Sequence, residues 1–298
     1  MRAVWSFWSV PFARHYRHAW ARPVDHLLAW VISVGSAQRH YRDTLLVTDT
    51  PGRRLLVDRL GLAFADVSTE LDRLRDHDPG WWMLGKLVAY GLQDAPFVHV
   101  DNDVFLWKRL PPRLEAAAVL AQNPERHVGG DYRPAEVMAA MRATGGVVPP
   151  EWEWGCSLGG DIPAENCGIL GGTATGFLQH FARTAIAFVD RPENAAGWAR
   201  LGGATGHNHV VEQFLLAACL GHHRSHPASP WRGVRAQYLF PSWREAFDSN
   251  EAARVGYTHL MGGKRHPTLG QRLTERVRRD WPDLLRRCER CAALAPAL

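Results

Sequence analysis

Asp101 and Asp103 flank one asparagine in FVHVDNDVFL (97–106), directly after four largely apolar residues. Burying an unpaired carboxylate is costly, so two of them inside an apolar strand call for a cation. Side chains at i and i+2 on an extended segment point the same way, so both carboxylates can reach one ion. Hard oxygen donors suit Mg²⁺ or Mn²⁺, which often bind substrate phosphates as well. The same spacing recurs at Asp76-His77-Asp78, but in the polar stretch RDHDPG, with no apolar run before it. That copy reads as a solvated turn. The plainer alternative for Asp101 and Asp103 is a turn whose carboxylates cap backbone N–H groups.

A second stretch, HLMGGK (259–264), brings a histidine, two glycines and a lysine together. His259 suits a third ligand to Mn²⁺. Gly262 and Gly263 would let the backbone approach a phosphate, and Lys264 could neutralise its oxygens. Alone, the segment reads rather as a surface hairpin with a solvated lysine. Other features have plainer readings. His207-Asn208-His209 suggests a helix cap and surface residues. Cys288 and Cys291 have zinc-like spacing but no second pair nearby, so they read as two helix thiols. Gly171-Gly172-Thr173 reads as a turn and N-cap. Trp152 and Trp154 could stack on a sugar or pack as a lid.

The elements that must position these groups alternate. Ala3–Val10 reads as a strand, and Pro23 opens an amphipathic helix through Leu27, Leu28 and Val31. TLLVTD (44–49) is a second strand, and PGRRLLVDRLG a helix that Gly61 stops. LAFADV (62–67) gives a third strand, WWMLGKLVAYGLQ a helix, and PFVHVDNDVFL the next strand. The pattern predicts an α/β fold with a mixed, mostly parallel sheet flanked by helices. Residues 121–165 are rich in Gly, Pro and Trp and suggest a lid or acceptor-binding insert. CGILGG then reads as strand and turn, TGFLQHFARTAIAFV and GHNHVVEQFLLAACL as helices, and YTHLMGGKRHP as a strand end and turn. The simplest parse is one domain in three parts, 1–110, 111–270 and a basic C-terminal helix over 271–298.

Composition narrows the classes. With 298 residues, 46% hydrophobic and 22% charged, the chain reads as globular and large enough for a sizeable core. No run of roughly 18 apolar residues suggests a membrane span. The first twenty residues make a poor signal peptide, and five cysteines argue against a disulfide framework, so a cytoplasmic location is expected. The net charge is +5, and QRLTERVRRDWPDLLRRCER alone sets seven arginines against four acids. That is the solvated face of a helix, or a patch for an anionic or membrane-near partner. No interleaved aromatic-basic motif points to nucleic acid.

Taken in order, the motifs resemble the GT-A class of nucleotide-sugar glycosyltransferases, nearest to the glycogenin and bacterial galactosyltransferase type. Lys86-Leu87, Asp101-Asn102-Asp103, Asn166-Cys167-Gly168, Glu212-Gln213 and His259-Leu260-Met261-Gly262-Gly263-Lys264 stand in that class's sequence order. Lys86 replaces the usual Arg, Glu212 the usual Asp, and the last turn is one residue short and lacks the usual Pro-Trp. The resemblance implies a GT-A-like (Rossmann-like) fold. It implies a metal-dependent glycosyltransferase using a nucleotide-diphosphate sugar, with a UDP-sugar favoured. Asp103 and His259 would bind Mn²⁺ or Mg²⁺, and Asp101 metal or the donor ribose. Lys86 and Lys264 would hold the donor diphosphate. Asn166 and Glu212 would contact donor sugar or acceptor, and Gln213 would lie near the anomeric carbon. Ser6 and Asp49, at strand ends, would face the nucleoside. A retaining course is favoured; an inverting one needs a base, for which Glu151, Glu153, Asp161, Glu165 and His207 are candidates. The acceptor, whether glycan, lipid, small molecule or peptide, is open. The alternatives are a sugar nucleotidyltransferase, though VWSFWSVPF holds no Gly-rich triphosphate loop, and a non-catalytic sugar- or protein-binding member of the fold.

Overall fold

The computed structural model describes residues 1–14, 19–126, 132–159, 163–204 and 206–294. The chain begins with β1 (Arg2–Phe7), α1 (Ser9–Arg14), α2 (Pro23–Gln38), β2 (Thr44–Thr48), α3 (Thr50–Arg53) and β3 (Asp66–Ser68). It continues through α4 (Leu84–Gly91), β4 (Phe97–Val100), β5 (Val104–Leu106), α5 (Pro112–Glu115), β6 (Val119–Ala121) and β7 (Pro124–Arg126). Next come α6 (Pro134–Ala143), α7 (Pro150–Ser157), β8 (Pro163–Glu165), β9 (Ile169–Gly172), α8 (Thr175–Asp190) and α9 (Ala195–Arg200). The last elements are α10 (Leu215–Ser225), β10 (Ala236–Tyr238), α11 (Trp243–Phe247), α12 (Ser249–Val255), β11 (Tyr257–His259), α13 (Leu269–Asp280) and α14 (Pro282–Leu294).

The central sheet has seven strands in the order β10-β6-β9-β4-β1-β2-β3. β1–β2, β2–β3 and β6–β10 run parallel, and β6–β9 antiparallel. This is the mixed, mostly parallel α/β sheet that the sequence predicts. Two small sheets, β5–β11 and β7–β8, are antiparallel. The chain divides into two compact units that interleave along it. Unit 1 holds residues 1–79, 99–110 and 249–298; unit 2 holds 80–98 and 111–248.

In unit 1, α2 is the organiser, packing on β5, α13 and α14. Pro23 starts it, and the Asp25 carboxylate returns to Arg22 at 2.6 Å. Gly35 lets the helix approach the junction of α13 and α14, since a Cβ there would collide with the Trp281 ring. Trp5, Leu28, Trp30 and Leu46 fill the core. In unit 2, α7, α8 and α10 pack around Trp152, Phe181, Phe188 and Phe214, all essentially buried.

Four differences from the sequence reading have local causes. The first strand ends at Phe7, because Ser9 donates from N (3.0 Å) and Oγ (2.6 Å) to Asp49 Oδ2 and starts α1. The strand drawn over 96–106 breaks at Asp101–Asp103, where Val104 N–H donates to Asp101 O at 3.0 Å, and β5 leaves the central sheet for β11. Trp152, drawn as a lid or sugar platform, is fully buried in α7, and its indole N–H donates to Pro134 O at 3.1 Å. The basic C-terminal helix is two helices, divided at Trp281-Pro282. Asp76 and Asp78 are exposed, as a solvated turn requires.

Candidate functional site

The DND turn of unit 1 is held by serines of α2. Ser33 Oγ accepts from Trp5 Nε1 (3.0 Å) and donates to Asp101 O (3.1 Å). One helical turn on, Ser36 Oγ accepts from Leu106 N–H at 3.1 Å. Both ends of the turn are thus tied to one rigid helix. Opposite, β11 pairs His259 with Val104, and Leu260 N–H donates to Asp103 O at 3.0 Å. This register sets His259 beside Asp103 although 155 residues of chain separate them.

Asp103 is 4% exposed. Its Oδ2 lies 2.8 Å from Lys264 Nζ and 3.6 Å from His259 Nε2. Burial opposes the Asp103 charge, but the Lys264 ammonium and His259 outweigh it and hold the carboxyl below the usual carboxylate range. Lys264 rests over the Trp20 ring, 5.6 Å from its centroid, and its carbonyl accepts from Ala21 N–H. Gly262 has φ +67°, and a Cβ there would meet nothing within 4 Å, so its backbone borders open space. Asp101 is more exposed, and its Oδ1 lies 3.7 Å from His99 Nδ1. His99, buried in β4, reaches Ser6 Oγ with its other nitrogen at 2.9 Å. Burial, with Lys264 nearby, pushes His26 down to about 3, so this inner histidine is neutral.

One donor atom each from Asp101, Asp103 and His259 lies within 4.8 Å of the others. Two carboxylates and an imidazole fit a divalent cation such as Mn²⁺ or Mg²⁺. Lys264 already supplies one fixed positive charge there. Asp49, expected to face a nucleoside, joins the ends of β1 and β2. Its Oδ1 accepts from Gly52 N–H at 2.8 Å and its Oδ2 from Ser9.

Lys86, Asn166, Glu212 and Gln213 gather in unit 2. Lys86 is 8% exposed; its Nζ lies 2.8 Å from Glu212 Oε1 and donates to Cys167 O at 3.3 Å. Tyr90 Oη also donates to Glu212 Oε1, at 2.9 Å. Glu212 is fully buried, with Lys86 and Tyr90 against its Oε1. It lies in a π-helical turn, Val210–Phe214, that leads into α10, a distortion often found at functional sites. Asn166 Nδ2 donates to Glu125 Oε1 at 2.6 Å, and its Oδ1 accepts from Gly168 N–H at 3.0 Å. The Tyr132 hydroxyl sits between Glu125 Oε2 (2.7 Å) and the Gln213 side-chain amide. Burial and the Glu125 charge push Tyr132 far up, so it stays a phenol.

The proposed bases separate. Glu153 is exposed and pairs with Arg142 at 3.0 Å, and Asp161 lies outside the described residues. His207 is half-buried near Leu201 O. Glu151 lies against His180 and His223. Glu165 borders a cavity of about 550 Å³ lined also by Trp154, Gly221, Arg224, Arg235 and Tyr238. Burial pushes its carboxyl up to about 8, although Tyr238 Oη donates to it at 3.0 Å. His99, Glu125 and Tyr132 went unnoticed in the sequence. For His99 a signal existed, since it sits in the same apolar strand two residues before Asp101; the other two lie in a stretch with no periodic pattern.

The class so defined is a mixed α/β protein with a carboxylate–imidazole–ammonium cluster where a central strand ends. Residues 1–291 match a family of unknown function, DUF6734, and the chain belongs to that family. No curated protein matches it in sequence. Among solved structures, the chain is similar to the galactosyltransferase LgtC in complex with donor and acceptor sugar analogues. The identity is 14% and the TM-score 0.41, over 100% of this chain and 96% of that one. It is also similar to a glutamine-to-glutamate active-site mutant of LgtC, at 12% identity and TM-score 0.41, over 92% of this chain and 94% of that one.

Proposed function

We propose that this protein is a glycosyltransferase that takes its sugar from a nucleoside-diphosphate sugar, of the UDP class, with a divalent metal and with retention at the anomeric carbon. The observation that carries the reading is the Asp103 cluster: a buried carboxylate between His259 and Lys264, with Asp101 alongside, at the end of β4. In open α/β sheets ligands bind beyond the carboxyl ends of strands. The order of the five motifs supports it independently.

Asp101, Asp103 and His259 would hold the metal, which when bound supplies positive charge to the leaving diphosphate. Lys264 would bind the same phosphate oxygens as a point charge, and the open backbone at Gly262 lets them come close. His99 holds Ser6 at the end of the sheet, close to Asp101, where a ribose would lie. In unit 2, the Glu125–Tyr132–Gln213 and Lys86–Glu212–Tyr90 contacts hold Gln213, Asn166 and Lys86 in fixed positions, so little reorganisation is needed during reaction. No strong general acid is required, because a nucleoside diphosphate is a good leaving group once its charge is met.

The test is a panel of UDP-sugars with Mn²⁺, following UDP release and then the anomeric proton of the product by NMR. The expected outcome is turnover of one UDP-sugar, lost in Asp103→Asn, with the donor's anomeric configuration kept. An inverted product would remove the retaining course. Absence of turnover with UDP-, GDP- and other nucleotide sugars would remove the enzyme reading.

A further inference from the structure

Unit 2 contains a second convergence of metal-ligating groups that the glycosyltransferase reading does not use. Glu151 stands in the first turn of α7, His180 in α8 and His223 in α10. Glu151 Oε1 lies 2.9 Å from His180 Nε2 and 3.4 Å from His223 Nε2, and the two Nε2 atoms are 3.1 Å apart. A tetrahedral zinc ion with bonds of about 2.0–2.1 Å sets its ligand atoms about 3.3 Å apart. The three edges therefore bracket those of one face of a zinc tetrahedron.

Hydrogen bonding alone accounts for this arrangement poorly. His180 Nε2 can donate its proton to Glu151. His223 Nε2 then faces the same proton and the same carboxylate oxygen, and two imidazole nitrogens and one oxygen share a single good hydrogen bond. The outer nitrogen of His223 has a partner that suits the metal-ready tautomer. Its Nδ1 lies 3.0 Å from Ser229 Oγ, which can accept an Nδ1–H and leave the Nε2 lone pair directed into the cluster. Metal-bound histidines characteristically have such an outer partner. The rings are also fixed: Trp231 lies over His180 at 4.3 Å between centroids and edge-on to His223 at 4.8 Å. The Glu151 side chain is 7% exposed and that of His223 10%, whereas His180 is 22% exposed, leaving one side open for a water as fourth ligand.

We propose that Glu151, His180 and His223 form a zinc site that clamps α7, α8 and α10. The site takes a borderline-soft divalent cation, Zn²⁺ by preference, and differs in donor set from the harder Asp101–Asp103–His259 cluster of unit 1. It does not depend on the glycosyltransferase reading.

The test uses the full chain, freed of metal with a chelator and then titrated with Zn²⁺, and separately with Co²⁺ as a spectroscopic stand-in. Zinc content after dialysis is measured by mass spectrometry. The expected result is one tightly held zinc in Asp103→Asn/His259→Gln protein, with the intense visible bands of tetrahedral Co²⁺. His180→Gln and His223→Gln should each weaken zinc binding about tenfold or more. His180→Gln is the safer variant because its ring is partly exposed, and circular dichroism checks that each variant is folded. In wild type zinc should raise Tm, and in folded His180→Gln this rise should be lost. If Asp103→Asn/His259→Gln protein retains no zinc, or if folded His180→Gln and His223→Gln bind it as wild type does, the proposal is overturned.

Discussion

Lys264 meets Asp103 at 2.8 Å and rests over Trp20, so its ammonium is fixed before any ligand arrives. A preorganised charge of this kind is worth about a hundredfold or more in turnover. On the proposed glycosyltransferase reading, Lys264→Ala should lower kcat by about that factor, and steady-state kinetics would show it. Glu165 offers a prediction in stability. Its carboxyl, raised by burial to about 8, keeps a proton that the unfolded chain releases near its ordinary value. The folded state thus binds more protons across that window, and stability falls as pH rises through it, by up to about 1.4 kcal/mol per unit. Urea unfolding at pH 5 and pH 8 should show this fall in wild type and a flatter profile in Glu165→Gln. At the residue scale, Asp101 and Asp103 were legible because they follow an apolar run, and His259 and Lys264 because one short stretch, HLMGGK, holds both. Glu151, His180 and His223 were not legible as a set, since distant helices bring them together.

α2 is the element on which the DND turn depends. Ser33 joins Trp5 to the Asp101 carbonyl, and removing its hydroxyl leaves a buried indole N–H without its acceptor. Ser33→Ala should destabilise the protein by about 1–3 kcal/mol, read as a lower urea midpoint at unchanged slope. β9 gives a steric case. A Cβ on Gly171 would collide with the Phe97 carbonyl oxygen, which belongs to backbone and cannot swing aside. Gly171→Ala should cost about 1–3 kcal/mol in the same experiment. The long helices were legible from apolar spacing and their proline or glycine ends. The break within 96–106 was not, because β5 is as apolar as β4 and only its pairing with β11 shows that it has left the central sheet. Trp152 was misplaced for a related reason: composition marks a Gly-, Pro- and Trp-rich stretch as irregular, yet α7 needs only Pro150 to start and an apolar partner to pack against.

For the molecule as a whole, an alternating βαβ pattern was enough to give a mixed, mostly parallel sheet, but not the interleaving of the two units. Residues 99–110 and 249–298 return to unit 1 because β5 and β11 pair and α13 and α14 pack on α2, contacts between segments far apart in the chain. Several of the C-terminal arginines read as a charged face also act locally. Arg276 and Arg279 each lie 2.9 Å from Asp280, and Arg276 stacks 4.0 Å from the Trp107 ring centroid. The central claim, that the Asp103 cluster holds a metal and a nucleoside diphosphate, is tested most directly by thermal unfolding with UDP. Wild type and Asp103→Ala are compared with and without Mn²⁺. A ligand confined to the folded state at a hundred times its Kd adds about 2.7 kcal/mol. The account predicts a clear rise in Tm only when UDP and Mn²⁺ are both present and Asp103 is intact. An equal rise in Asp103→Ala, or none in wild type with any nucleoside diphosphate, would contradict it.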